Sequence, residues 1–178
     1  MNHKIPKRIH IIGSVGSGKT TLAKQLSSTY NVPFYELDNV VRKRLPSGDI
    51  RRTDEEKEQY LKSIVHTDTW IIEGVHYGDW VSSSFHHADL IIFLNTKYQI
   101  RSYRIIRRFV LQKLKLERSN YKPTLEIFFN MFKWNRQYEA VDKPNALLKL
   151  AKYRTKTIIV ENKKDVIMYL KEKKVLQS

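Results

Sequence analysis

Short apolar runs alternate with helix-spaced segments along this 178-residue chain. Arg8-Ile9-His10-Ile11-Ile12 has strand character; Leu22 and Leu26 then fall four apart, as on one face of a helix that ends near Tyr30-Asn31. Val32-Pro33-Phe34-Tyr35-Glu36-Leu37 predicts a second strand with Asp38 at its C-terminal end, ahead of a helix around Asn39-Val40-Val41. Thr53-Asp54-Glu55-Glu56 has the spacing of a capping box, and the helix it opens carries Tyr60, Leu61, Ile64 and Val65 on one face. Thr69-Trp70-Ile71-Ile72 is apolar in its centre, as a buried parallel strand requires, and closes on Glu73-Gly74. Asp89 to Leu94 predicts a fourth strand and Lys156 to Val160 a fifth, with a last helix from about Lys164.

Two longer helical patterns lie between the fourth and fifth strands. Across Arg101 to Lys115, Tyr103, Ile106, Val110 and Leu114 recur at helical spacing, while Arg101, Arg104, Arg108 and Lys115 follow another face. Ser119 to Pro123 breaks the pattern. Thr124 to Ala140 resumes it with Leu125, Phe128, Phe132, Trp134 and Tyr138, expected as packing residues. Pro144-Asn145 ends that region and Ala146 to Tyr153 predicts a short helix. Strands alternating with helices in this order predict an α/β fold.

Candidate chemistry begins at Gly13-Ser14-Val15-Gly16-Ser17-Gly18-Lys19-Thr20, which fits G-x-x-x-x-G-K-[ST] in a strand, loop, helix context. Backbone N–H groups converge on a polyphosphate only if the chain wraps closely, which glycine allows at low steric cost. The helix that follows aims its positive end at the anion; Lys19 would reach the β/γ-phosphates of ATP and Thr20 would ligate Mg²⁺. Asp38, beyond a strand end, faces the nucleotide crevice. It has four open roles: orienting the acceptor, deprotonating it, holding a metal-bound water, or capping the next helix. Glu73 is either the acid that steadies Mg²⁺ or simply the end of its strand. His76, in the loop from Val75 to Trp80, is a candidate acceptor contact. So is Arg42, one of the basic residues around the turn Pro46-Ser47-Gly48, in a segment expected to be mobile. Asn162 and Lys163, after the fifth strand, are candidates to meet the base.

The length predicts one domain over 1–178. No apolar stretch has spanning length, and the start reads as neither leader nor anchor, so the chain reads as soluble and cytoplasmic. The absence of cysteine excludes disulfides and thiolate metal sites. The net charge of +15 predicts either attraction to polyanions or a solvated, lysine-rich surface. Between Lys97 and Arg118, eight Lys/Arg stand against one acidic residue. Repeated arginine favours a planar, bidentate partner such as phosphate.

On these features the chain resembles the adenylate-kinase-like P-loop kinases and, more narrowly, the bacterial topology modulation proteins. Carrying the resemblance are Gly13 to Thr21, Val32 to Asp38, Trp70 to Gly74, Ala88 to Leu94 and the arginine-rich run from Arg104 to Arg108. It implies a three-layer P-loop NTPase fold with a five-stranded parallel sheet in order 2-3-1-4-5. It also implies an acceptor-side segment at about 39–67 and a helical lid at about 101–145. Arg104, Arg108 and Arg136 inherit the part of lid arginines that clamp ATP and the transferring phosphoryl group. One departure stands out: adenylate kinases follow the third-strand acid with Gly-Phe-Pro-Arg, where this chain has Gly74-Val75-His76-Tyr77. The expected activity is phosphoryl transfer from ATP to a small-molecule or nucleotide acceptor. The rival is a nucleotide-regulated nucleic-acid-binding protein affecting DNA topology, though no helix-turn-helix or RNA-binding signature is present.

Overall fold

The computed structural model describes residues 6–117 and 123–175, with the side chains of 173–175 excepted; of the expected break at Ser119 to Pro123, all but Pro123 lies outside them. In chain order the elements are β1 (Arg8–Gly13), α1 (Lys19–Tyr30), β2 (Phe34–Glu36), α2 (Leu37–Val41), β3 (Arg42–Lys43), β4 (Ile50–Arg51), α3 (Asp54–Val65) and β5 (Trp70–Gly74). There follow α4 (Ser82–His87), β6 (Leu90–Leu94), α5 (Tyr98–Lys113), α6 (Leu125–Gln137), α7 (Lys143–Leu150), β7 (Thr157–Val160) and α8 (Lys163–Val175). The main sheet runs β2-β5-β1-β6-β7, all parallel, so the five main strands lie in the expected order of second, third, first, fourth and fifth. Being central, β1 is paired on both sides, which places Gly13 beside Leu94 and Ile12 beside Gly74.

Strand alternation sends side chains to two cores. Ile9, Ile11, Ile71, Ile92 and Leu94 pack against α1 and α8 through Leu22, Leu26, Val166 and Leu170. Ile12, Trp70, Ile72, Ile91 and Phe93 face Leu61, Ile64, Phe85, Ala146 and Leu150. Each such side chain contributes about 1.5–3 kcal/mol on burial, so a sheet apolar on both faces requires helices on both. His10 is the polar exception, fully buried with Nδ1 3.0 Å from Ser84 Oγ. Since Ser84 Oγ donates to Val81 O at 2.7 Å, Nδ1 is the donor to Ser84, and Nε2 is left without a partner. Burial, helped by the charge of His76, pushes the imidazole down to about 3, so it is neutral in the fold.

Several expectations are corrected. The second strand is shorter than Val32 to Leu37, because Leu37 already opens α2, where it and Val40 enter the core. The basic segment forms a small antiparallel hairpin, Arg42 opposite Arg51. Thr53 and Glu56 do form the capping box, but Tyr60 is exposed beneath the Arg52 guanidinium, 4.6 Å from its ring centre. Pro144 does not separate two helices. It sits in the first turn of α7, where a missing N–H costs little, and a π-helical turn, Tyr138–Asp142, joins α6 to it.

Helix α5 turns part of its basic stripe, and not its apolar stripe, inward. Its inward positions are Arg101, Ile105 and Gln112, whereas Tyr103, Ile106, Val110 and Leu114 are exposed. On α6, Leu125 and Trp134 are exposed too, while Phe128 and Phe132 stack together against Phe109 of α5. The helix lies over a polar crevice, so its arginines are the side chains with partners on the inner side. No helix among the described residues is long and apolar enough to cross a membrane.

Candidate active site

The P-loop leaves β1 at Gly13 and enters α1 at Lys19. Gly16 and Gly18 adopt left-handed conformations at φ 73° and 98°, which other residues rarely accept. A Cβ on Gly13 would stand 2.9 Å from Leu94 O, and one on Gly16 would stand 2.9 Å from Arg101 O. Gly18 provides no side-chain cap, so the first amides of α1 are left to the crevice. The Ser14 and Ser17 hydroxyls are buried without a partner, a further sign of a cradle shaped for a polar guest.

Two strand ends bring the acids. Glu73, at the end of β5 and nearly buried, accepts from Thr20 Oγ1 at 2.6 Å and stands 4.0 Å from Lys19 Nζ. Lys19 itself donates to Ser14 O at 3.0 Å, holding its ammonium over the loop. Thr20 and Glu73 are hard oxygen donors suited to Mg²⁺. No group of three His, Cys, Asp or Glu able to hold a metal occurs among the described residues. Mg²⁺ here would thus complete its shell with nucleotide phosphates and water, as it commonly does.

Asp38 lies in the first turn of α2, two residues beyond the end of β2, the strand expected to carry it. Its side chain opens on a cavity of about 500 Å³, which Lys19, Thr20, Glu36, Arg44 and Glu73 also line. It makes no cap to the helix. The His76 imidazole, with Nε2 3.8 Å from Asp38 Oδ1, holds that largely exposed carboxyl below its usual range. Glu36 moves the other way: burial, then the negative charge of Glu73 beside it in the sheet, raises it.

Across the loop a second cavity of about 620 Å³ is lined by Gly16, Gly18, Thr21, Arg104, Arg107, Arg108, Asn162 and Lys163. Arg104 Nη1 donates to Ser17 O at 2.8 Å and Gly16 O at 3.2 Å, and Arg108 lies 3.9 Å from Glu117. The Asn162 amide is largely committed to α8, accepting from Lys164 N at 2.8 Å and donating to Asp165.

Two expected residues are not brought here. Arg42 and Arg136 are exposed and line neither cavity: Arg44, not Arg42, reaches the acceptor side, and on α6 the inward position is Asn135. Sequence reasoning missed Arg101, whose side chain is completely buried. It donates to Asn135 Oδ1 at 2.7 Å and Glu139 Oε2 at 2.6 Å and lies over the Tyr138 ring. Asn135, a helical polar position beside Trp134 in an aromatic-rich helix, was the available signal. Glu36 and Arg107 were missed as well, and a strand-end acid next to Glu73 signals the first.

Comparison with known proteins agrees with this geometry. The shikimate kinase family model matches residues 15–63, from the P-loop to α3. The shikimate kinase of Dictyoglomus turgidum is 34% identical over 56 residues, covering 32% of this chain and 33% of that protein. That of Aquifex aeolicus is 49% identical over 37 residues, 21% of this chain and 22% of that protein. These alignments thus span a third or less of the relatives they match. The solved Aquifex aeolicus shikimate kinase superposes with a TM-score of 0.51 at 18% identity, covering 96% of this chain and 99% of that one. The Acinetobacter baumannii enzyme, solved with shikimate, gives 0.52 at 13% identity over 83% of this chain and 81% of that one. The chain has the three-layer α/β fold of the P-loop kinases, and its stretch from the P-loop to α3 is similar in sequence to shikimate kinases.

Proposed function

We propose that the protein is an ATP-dependent phosphotransferase acting on a small hydroxyl-bearing acceptor. The observation that carries this reading is the Thr20–Glu73 hydrogen bond beside Lys19, with Asp38 facing it across the acceptor cavity. The P-loop amides and Lys19 hold the β- and γ-phosphates, with Arg104 and Arg108 closing over them from α5. Thr20 and Glu73 would hold Mg²⁺, which would supply neutralising charge beside those phosphates. Asp38, beside His76, aligns the acceptor hydroxyl. It takes the proton as the new O–P bond forms and the bond to the bridging oxygen breaks. Such transfer depends on positioning and electrostatics more than on covalent chemistry, which suits a site with few reactive groups.

Shikimate is the first acceptor to try, because the matched segment runs through the acceptor side. Labelled ATP with shikimate, other hydroxy acids, nucleosides, nucleotides and 5′-hydroxyl oligonucleotides should give a product that Lys19→Ala abolishes. ATP binding with no transfer to any acceptor would overturn the reading. The nucleic-acid rival finds no support in α5, since Arg101 is buried and Arg104 is bonded to the P-loop. The finer kinship to topology modulation proteins rests on the sequence features alone.

A further inference from the structure

The outward side of α5 carries a ridge with no partner in the described fold. Tyr103, Ile106, Val110 and Leu114 are 65%, 46%, 46% and 62% exposed. On α6, Leu125 and Phe129 are 60% and 65% exposed. The two ridges belong to one surface. Arg101 meets Asn135 and Phe109 meets Phe128, so the helices run antiparallel. In an antiparallel pair, equal rotations from the contact line lead to the same side. At about 100° per residue this puts Ile106 and Val110 of α5 with Leu125 and Phe129 of α6, opposite the side bearing Arg104 and Arg108.

Exposed cations flank the ridge: Arg107 and Lys113 on α5, Lys133 and Arg136 on α6. Helix α5 has no acidic residue, and α6 has only Glu126. Contiguous exposed apolar surface of this kind marks a docking site. Its chemistry selects the occupant. A second copy would set one cationic rim against another on chains of net charge +15. Nucleic acid would meet the cations but leave the aliphatic side chains without use. A bilayer with anionic headgroups satisfies both: apolar side chains enter the acyl boundary, Tyr103 suits the interface, and lysines and arginines reach the headgroups.

We propose that the outer face of the α5–α6 hairpin docks on an anionic lipid surface. The test is co-sedimentation of the full chain with phosphatidylglycerol-containing and pure phosphatidylcholine vesicles. The variants are Val110→Asp, the milder pair Tyr103→Ser with Phe129→Ser, and the remote charge reversal Arg51→Glu. Thermal melts confirm that each is folded. Expected are pelleting with the anionic vesicles only, weakening with salt, and a loss of at least roughly tenfold in affinity for both ridge variants. Arg51→Glu should bind as before. No pelleting, equal pelleting with phosphatidylcholine, or indifference to both ridge variants would each overturn the proposal. So would a dimer that the ridge variants dissociate, or DNA binding that outcompetes vesicles and depends on the same residues.

Discussion

On the floor of the crevice, Lys19, Thr20 and Glu73 are fixed by backbone at the ends of β1 and β5 and by the start of α1. Across from them, Arg104 and Arg108 ride on α5, a helix held at its own N-terminal turn by Arg101. The floor is set by the sheet register and would change only if strands slipped. The hairpin is set by side chains: the buried Arg101 guanidinium with Asn135 and Glu139, the Asn135 bond to Ser102, the Phe109–Phe128 contact, and Arg104 on the P-loop carbonyls. The two regions meet where Arg101 O crowds Gly16. Under the proposed function the floor would hold the phosphates, and the α5–α6 hairpin would close over them as a lid.

The comparison is broken most severely at the floor. Lys19→Ala should reduce phosphoryl transfer by about 10²–10³, the usual cost of one preorganised electrostatic group, with little change in thermal stability. Initial rates at saturating ATP, read beside a melting curve, check both halves. Arg101→Met should act in the opposite sense. It leaves Asn135 Oδ1 without its donor and Glu139 with Lys143 alone, and should cost about 2–3 kcal/mol in urea denaturation, Glu139 being partly exposed and so partly rehydrated. Its transfer rate should suffer through Arg104, seen as a raised KM for ATP.

A third test uses acid. The folded-state value for His10, about 3, lies below the ordinary value of 6.5, so the unfolded chain takes up the proton first. Stability is therefore complete above about 6.5 and falls as the pH drops from there toward about 3, with a slope approaching about 1.4 kcal/mol per pH unit. Urea midpoints at pH 7 and pH 5 should show this loss, and His10→Leu should flatten it. The smallest effect belongs to the outer ridge: Tyr103→Ser should change stability by less than about 0.5 kcal/mol. A cost of 2 kcal/mol or more, roughly that of emptying a core position, would mean that the ridge is core after all.

How much was legible follows the same division. The P-loop was readable because its function is local: eight consecutive residues fix the loop, the lysine and the hydroxyl. The position of Glu73 at the crevice was readable because it closes an apolar strand, and a parallel sheet sets that strand's end beside the end of β1. Arg44 was mistaken for Arg42 because, in a hairpin with strands of two residues, the side that faces the crevice depends on a turn no periodicity records. Arg136 and Asn135 are neighbours in sequence, and only the packing of α6 on α5 decides which of them turns inward.

The amino-acid sequence by itself determined the central strands β1, β5 and β6, because an apolar run in a parallel sheet is buried on both faces and cannot be turned the wrong way. It also determined the phosphate loop, whose parts lie within one turn of chain. Tertiary structure alone decided α5, where the spacing presents an apolar stripe and a basic stripe with equal clarity. Which stripe faced inward depended on what lay beneath, and a crevice lined with P-loop carbonyls and acids gave the arginines partners that solvent-facing positions lack.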